Sequence, residues 1–542
     1  MSLSGSRLWT SLHLMPSSVT SGAYLAAACL AATCSALSIL WPLVVQALLL
    51  RCVTMRCSML SVSSLIDELR PYAYGGRLVA PSKPGATDEH RPLGAGVAWR
   101  RVAAGFLCAA HRAEFGSAMG PLQLGVGVSR GPEILALAMR LALESHPRWV
   151  AVKLDFKNAF NTCSRPAFLR WTAQHFPALL LFLLAAYRAP PYITALGPDG
   201  WVRWLSRRGC TQGCPLGPYC FAAALQLALE RVQAAYPDVL VAALHDDAEL
   251  AGEPARVQAA LEMLVAEAAL VGLVPAGHKF TLYVQSADMV ASAEVAHLER
   301  VIEGWSDAAA IAAGRACRAQ SLGLVTAGVP VGSVAFQCSY ALDKLREHDF
   351  AHAELEHVVD TQAAYLLLRY SLSVRFHFLT GMVGPALAHG ADGASPLATH
   401  DTRLIRSLTF LLVDPTVSYQ LREARVAAGL GRAAILQAEL RARDGGLSLA
   451  GARMMWASTH LARAMAVLPY LLEHCAVYQL TDTALQPDAA LPYFDGLRVA
   501  LRALHDQSLT ACVAYPDLAS LLSGPPRSQH DLAGGCIYLP AG

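Results

Sequence analysis

The stretch that decides the fold runs from Val239 to Gly252 and reads VLVAALHDDAELAG. An apolar run that ends at Leu244 precedes two adjacent carboxylates, Asp246 and Asp247, and a second short apolar run follows them. This pattern predicts a strand, a tight turn that carries both acids, and a returning strand. Two neighbouring carboxylates beside apolar strands are costly to bury, and a divalent cation would remove that cost.

The composition limits the class of protein. A chain of 542 residues is too long for one ordinary domain, so we expect about two to four structural units. Hydrophobic residues make up 54% of the chain and charged residues only 15%, so a membrane segment has to be considered. The net charge of +2 does not by itself indicate a nucleic-acid-binding protein. The 14 cysteines lack zinc-finger spacing, and they show no evident disulfide framework, which favours a reduced, intracellular setting.

The first 60 residues differ from the rest because residues 23–50 are almost wholly apolar, with Pro42 as an interruption. This segment is long enough to span a bilayer and too long for a typical secretory signal. The alternatives to a membrane segment are a misassigned start and an out-of-frame translation. A second apolar run, Pro177 to Tyr187, has only 11 residues and predicts a buried core helix.

Strands and helices alternate between about residues 150 and 285. The order is β-α-β-β-α-β, which predicts an α+β fold with a split-βαβ, ferredoxin-like sheet. Its predicted elements are strand Trp149–Phe156, helix Tyr219–Tyr236, the acid hairpin, helix Ala255–Val271 and strand Phe280–Val284. In such a sheet the first strand lies beside the hairpin.

A third carboxylate, Asp155, stands at the end of the first predicted strand. The topology predicts that it meets Asp246 and Asp247 at one edge of the sheet. Three carboxylates form a hard-oxygen site suited to Mg²⁺, and two such ions about 4 Å apart support phosphoryl transfer. The alternative is that Asp155 caps a helix and the pair belongs to an ordinary turn.

Several motifs in succession resemble those of reverse transcriptases. In chain order they are Lys153–Asn161 (KLDFKNAFN), Gln212–Pro218 (QGCPLGP), Leu244–Asp247 (LHDD), Gly272–Lys279 (GLVPAGHK) and Leu322–Ser333 (LGLVTAGVPVGS). Further segments resemble the non-LTR (LINE-type) retrotransposon enzymes, and they are Lys83-Pro, Arg91-Pro-Leu, Arg100-Arg101, Gln123–Val128, Asp360–Arg369 and Gly445–Leu449. The resemblance covers about residues 78 to 460, and it depends on the order of the motifs.

The resemblance implies a right-hand polymerase with fingers, a split-βαβ palm and a helical thumb. The expected divisions are an apolar extension at 1–60, fingers and palm at 61–340, thumb at 341–460, and a helical or irregular region at 461–542. The implied activity is an RNA-directed DNA polymerase that takes dNTPs, an RNA template and a DNA primer. It implies two Mg²⁺ ions, with Mn²⁺ as a substitute, and a nuclear location. The oligomeric state is left open.

The resemblance also assigns the metal site. Asp155 and Asp246 would bind the metal ions, with the Phe156 backbone carbonyl assisting and Asp247 as the third acid. Lys279 would protonate the pyrophosphate leaving group. Taken alone, an isolated lysine of this kind is more typical of a solvated surface position.

The nucleotide would be held by five further residues. Phe160 would lie under the sugar and exclude a 2′-hydroxyl, although a core phenylalanine on a helix face is an equal interpretation without the resemblance. Gln212 and Gly213 would brace the template base and the nucleotide, and Lys83 and Arg91 would hold the triphosphate.

The chain departs from the family pattern at Leu244, where an aromatic residue is usual, and at His245, where the usual residue is small or aliphatic. His245 is either a partner of the acids or a tolerated polar residue. No endonuclease motif follows Arg453. The alternative function is therefore a decayed or recruited reverse-transcriptase-like scaffold that binds nucleic acid or a membrane.

Overall fold

The structure is a computed structural model of the 542-residue chain, and it describes residues 71–79, 93–197, 200–391, 393–413, 417–440, 442, 445–449, 451–507, 517–525 and 532. The chain divides into two compact units, Met1–Gly75 and Gly76–Gly542, and the second contains the described sheets. The apolar segment 23–50 and two proposed substrate residues, Lys83 and Arg91, lie outside the described residues. Within those ranges, no helix is both long enough and apolar enough to cross a membrane.

The described strands form three sheets. In chain order they are β1 (Gly76–Val79), β2 (Leu93–Gly96), β3 (Val150–Lys153), β4 (Tyr192–Gly197), β5 (Gly200–Leu205), β6 (Leu240–Leu244), β7 (Asp247–Gly252), β8 (Thr281–Val284), β9 (Ala319–Gln320), β10 (Gly323–Thr326) and β11 (Val329–Gly332). The first sheet has the order β2-β1-β4-β5, the central sheet β6-β7-β3-β8-β9, and β10 pairs with β11.

The described helices surround these sheets and fill the C-terminal half. They are α1 (Ala98–Ala110), α2 (Arg112–Met119), α3 (Gly131–Ser145), α4 (Ala159–Thr162), α5 (Arg165–His175), α6 (Pro177–Tyr187), α7 (Gly217–Ala235), α8 (Pro254–Leu270), α9 (Ala287–Val290), α10 (Ala293–Glu303), α11 (Ala308–Ala312), α12 (Val334–Leu355), α13 (Thr361–Leu367), α14 (His377–Val383), α15 (Pro385–His389), α16 (Pro396–Leu412), α17 (Tyr419–Ala428), α18 (Arg432–Glu439), α19 (Ala452–Glu473), α20 (Pro492–Gln507) and α21 (Leu518–Ser523). Residues Gly277–Lys279 and Asp482–Leu485 form 3₁₀ turns, and Leu368–Leu372 forms a π turn.

The central sheet has the predicted split-βαβ order. Strand β3 lies between β7 and β8 and is antiparallel to both, and β6 pairs with β7 through the acid hairpin. The short strand β9 adds a parallel edge that the sequence did not predict. Helices α7 and α8 pack on one face of the sheet, and α3 contributes to the core on the other. Because both faces are covered, the strands are apolar at successive positions.

One large apolar core joins the central sheet to the C-terminal helices. It contains residues of α3, of the β10–β11 hairpin, and of α14, α19 and α20, including Leu137, Val331, Leu461 and Leu497. Helices α19 to α21 therefore pack into the same core as the sheet. The described residues from Val334 onward are mostly helical.

Two predicted elements differ from the structure. Strand β3 ends at Lys153, so Asp155 lies in the connection that follows rather than in the strand. Helix α6 has the predicted bounds but is not wholly buried: Leu179 and Leu183 are covered while Leu181 is 53% exposed. Helix α6 packs mainly against α5, so its other side remains open despite its apolar sequence.

Candidate functional site

Three carboxylates converge at one end of the central sheet. Asp155 follows β3, Asp246 lies in the hairpin turn, and Asp247 begins the neighbouring strand β7. Two ammonium groups lie among them: Lys153 Nζ is 3.3 Å from Asp247 Oδ2, and Lys279 Nζ is 4.0 Å from Asp155 Oδ1. The convergence predicted from the order of the elements is present.

The electrostatics of these acids favour a bound cation. Burial raises the pKa of both Asp155 and Asp246, and the neighbouring Asp247 charge raises each pKa further. Lys279 offsets part of this effect at Asp155. Carboxyl groups that are partly desolvated and that repel one another are stabilised in the ionised form by a nearby positive ion. The two lysines supply some of that charge, and a divalent ion would supply more.

The segment after Asp155 is held by residues 274–276. The Lys157 N–H donates to the Val274 carbonyl at 2.8 Å, and the Ala276 N–H donates to the Asp155 carbonyl at 2.9 Å. These two bonds flank Phe156, whose ring is buried and whose carbonyl takes no part in that pairing. The same segment then turns through Gly277–Lys279 and brings Lys279 beside Asp155.

A buried glutamine, Gln123, fixes the turn that carries the acids. Its Oε1 accepts from the His245 N–H at 2.7 Å, and its Nε2 donates to the His245 carbonyl at 3.1 Å. The turn needs this support because His245 has a left-handed backbone with φ of 59°. The sequence marks Gln123 only by its place at the start of the Gln123–Val128 motif, and nothing in its spacing predicts a role at the site.

The glycine-rich segment that follows Gln123 packs against the turn. A Cβ on Gly125 would lie 2.6 Å from the His245 ring, so only glycine fits there. The preceding residues run beside β6, where the Leu124 N–H donates to the Ala243 carbonyl at 2.8 Å. The segment thus covers the edge of β6. Burial lowers the pKa of His245, which favours the neutral ring.

The residues expected at the nucleotide lie on neighbouring elements. Phe160 on α4 stacks on Phe221 of α7, with ring centroids 5.0 Å apart and an interplanar angle of 23°. Gly213 lies against β2, where an added Cβ would overlap the Gly94 carbonyl oxygen. The close approach at Gly213 is therefore explained by packing on Gly94. Gln212 keeps a buried Oε1 without a hydrogen-bond partner.

A cavity of about 280 Å³ opens beside Gln212. It lies between the first sheet and the loop before α7, and its lining includes Leu78, Gly94, Asn161, Trp204, Arg207 and Gln212. Arg165 shapes this loop, since its guanidinium donates to the Gly209 carbonyl at 2.9 Å and to Ser206 Oγ at 2.9 Å. By contrast, Arg100 is buried with its guanidinium 5.0 Å from the Tyr187 ring, and so contributes to packing.

The donor set suits Mg²⁺ only together with a substrate. Across the described ranges, no three His, Cys, Asp or Glu side chains are already grouped so as to hold a metal ion. Protein sites for Mg²⁺ commonly use one or two carboxylates plus substrate phosphates and water, so a complete protein cage is not required. Burial raises the pKa of Asp155 and of Asp246, and a nearby cation would offset that effect on both carboxyl groups.

A fourth acid, Glu249, lies deeper in the sheet. It is fully buried on β7, and burial raises its pKa to about 7. Its Oε1 lies 4.0 Å from Lys153 Nζ, and neither oxygen has a hydrogen bond of normal geometry. Lys153 therefore lies between Glu249 and Asp247.

Comparisons with known proteins give limited similarity. No family model and no curated protein sequence matches the chain. Apo telomerase from Candida tropicalis, truncated from its C-terminal domain, is similar at 12% identity with a TM-score of 0.30, over 39% of this chain and 50% of that one. Telomerase from Candida albicans, in complex with a TWJ fragment of telomeric RNA, is similar at 10% identity with a TM-score of 0.36, over 78% of this chain and 66% of that one. The chain thus spans about half the length of the first structure.

Proposed function

We propose that the chain is an RNA-directed DNA polymerase that extends a DNA primer on an RNA template, of the non-LTR retrotransposon type. The observation that carries this proposal is the convergence of Asp155, Asp246 and Asp247 at one end of a split-βαβ sheet, with Lys279 beside them. The central sheet would be the palm, the β2-β1-β4-β5 sheet would belong to the fingers, and the helices from α12 onward would form the thumb.

Asp155, Asp246 and the Phe156 carbonyl would hold the Mg²⁺ or Mn²⁺ ions, with Asp247 as the third acid. When bound, the ions would activate the primer 3′-hydroxyl and stabilise the charge that develops on the leaving pyrophosphate. Lys279, with its Nζ 4.0 Å from Asp155, would donate a proton to that pyrophosphate.

The remaining assigned residues would bind and select the nucleotide. The unpartnered Gln212 Oε1 would offer an acceptor to the template or the nucleotide, and Gly213 would allow the loop to pack closely on β2. The Phe160 ring, braced by Phe221, would exclude a 2′-hydroxyl. Lys83 and Arg91 would hold the triphosphate. A polymerase of this type would act in the nucleus, and residues 23–50 would be a candidate for membrane contact.

Primer extension by the full chain tests the proposal. With an RNA template, a DNA primer, dNTPs and Mg²⁺ or Mn²⁺, we expect extension that Asp246→Asn reduces by roughly a thousand-fold, since several kcal/mol of charge stabilisation would be lost. Asp343→Asn, an exposed acid on α12, is the matched control and should extend normally. Wild-type protein that binds the template–primer without extending it would instead indicate a non-catalytic scaffold.

A further inference from the structure

One face of the first sheet exposes aromatic and cationic side chains together. Residues paired directly across neighbouring strands share a face, and the register pairs Leu196 with Trp201, Thr194 with Arg203, and Thr194 with Arg77. Trp201 and Leu196 are each 62% exposed. We call this surface the outer face, and its residues are Arg77, Tyr192, Thr194, Leu196, Trp201 and Arg203.

Two arginine–aromatic pairs occupy the outer face. The Arg77 guanidinium lies 5.4 Å from the centre of the Trp201 ring, and the Arg203 guanidinium lies 5.3 Å from the centre of the Tyr192 ring. An exposed indole costs free energy unless a partner covers it. Aromatic rings and guanidinium planes side by side are the surfaces on which unpaired bases stack in single-strand-binding proteins.

The charge of the outer face selects among partners. Two of its six residues, Arg77 and Arg203, are arginines and none is acidic, although the whole chain has a net charge of only +2. An apolar protein partner would not need this local excess of positive charge, whereas a phosphate backbone would. The charge therefore favours nucleic acid over a second protein.

None of the six outer-face residues lines the cavity beside Gln212. The opposite face of the same sheet, which carries Leu78, Ile193 and Trp204, lines the cavity beside Gln212. A strand bound on the outer face would therefore lie across the sheet from that cavity.

We propose that the outer face binds a single-stranded nucleic acid, whose bases stack on Trp201 and Tyr192 while Arg77 and Arg203 contact its phosphates. This binding needs neither metal nor nucleotide. It goes beyond the proposed polymerisation and can be tested without it. RNA and DNA share the required chemistry, and the experiment includes both.

The test measures the affinity of the full chain for fluorescein-labelled 12-nucleotide RNA and DNA of one sequence by anisotropy, without nucleotides or metal. We expect Trp201→Ala to weaken binding at least about five-fold, the factor that corresponds to the lower value for stacking of one base, about 1 kcal/mol. Trp201→Phe retains a ring and should retain most of the affinity. Val202→Ala, on the opposite face of β5, is the matched control and should bind normally.

Two further measurements locate the strand. Arg203→Gln should reduce the slope of log affinity against log salt concentration by about 0.7, the value for one phosphate contact on a single strand. A 5-iodouridine oligonucleotide should crosslink to Trp201 or Tyr192. Unchanged affinity in Trp201→Ala with crosslinks elsewhere would overturn the proposal. So would a change in oligomeric state by sedimentation in place of a change in affinity, since the face would then contact a second copy.

Discussion

The proposed role of the Phe160 ring can be tested by substitutions at that one residue. Its stacking on Phe221 fixes its position, so truncating it should open space without moving the acids. We expect Phe160→Ala to reduce the preference for dNTPs over rNTPs by roughly ten-fold or more, because the block to a 2′-hydroxyl is lost. Steady-state incorporation of dNTPs and rNTPs measures this preference.

Phe160→Tyr is the control for that substitution, because it keeps the ring in place and should keep the discrimination. If Phe160→Ala discriminates as the wild type does, the ring is a packing residue on α4 and the proposed role is wrong.

At the same scale, the sequence predicts some site residues and not others. Asp155, Asp246 and Asp247 are predictable because strand order brings consecutive element ends together. Gln123 is not predictable, since its bonds to His245 join side chain to backbone across 122 residues and leave no periodic pattern. The packing of Gly213 on Gly94 is hidden for the same reason.

Among the elements, helix α19 begins beside two acidic residues, Asp401 and Glu439. Asp401 accepts from the Ala452 and Arg453 N–H groups at 2.6 and 3.0 Å. Glu439, the last residue of α18, lies close by, and burial followed by the charge of Asp401 raises its pKa to about 7. The Asp401 carboxylate satisfies the helix terminus, and Glu439 adds a second negative charge where one already suffices.

The raised pKa of Glu439 predicts how stability depends on pH. Between about pH 4.5 and 7 the folded chain holds a proton on Glu439 that the unfolded chain releases, so this residue's contribution to stability falls as pH rises through that window. At pH 8 the free energy of unfolding of Glu439→Gln, measured by urea titration, should therefore exceed that of the wild type by roughly 1–3 kcal/mol. At pH 4.5 the two proteins should differ little.

The exposed residue Glu354 on α12 provides the control, because Glu354→Gln should shift the urea midpoint equally at both pH values. An equal effect of Glu439→Gln at pH 4.5 and pH 8 would show that burial of the Glu439 carboxyl does not control its ionisation.

The sequence predicts an element correctly where buried residues alternate along it or follow one another without a break. The acid hairpin and helices α7 and α8 were predicted within one or two residues because their apolar pattern follows the sheet they cover. Strand β4 was not predicted, since it is only partly buried and its sequence lacks alternation. The apolar sequence of helix α6 predicts a buried helix. That prediction is wrong for part of the helix, because composition does not show how many neighbours a helix has.

For the whole molecule, an ion pair joins segments 330 residues apart. Arg463 on α19 donates to Glu133 on α3 at 2.5 Å, and the Glu133 side chain is only 10% exposed. Arg463→Ala would leave that carboxylate without its partner inside the core shared by the sheet and the C-terminal helices. We expect a loss of roughly 1–3 kcal/mol in the free energy of unfolding, measured by urea titration.

A surface pair on α12 controls for loss of charge alone. Arg346 pairs with Asp343 where both side chains are well exposed, so Arg346→Ala should cost less than about 1 kcal/mol. Equal urea midpoints for Arg463→Ala and Arg346→Ala would mean that the pair between α3 and α19 contributes no more to the free energy of unfolding than a surface pair does.

The packing of Gly125 on the acid turn limits which changes the chain tolerates over generations. A Cβ there would meet both the ring and the backbone nitrogen of His245, at 2.6 and 2.7 Å, so shrinking the side chain at 245 would relieve only half of the clash. Any side chain at position 125 would push the turn outward and carry both carboxylates with it. In a saturation mutagenesis screen, position 125 should therefore be among the positions that tolerate the fewest substitutions, although glycine has no reactive side chain.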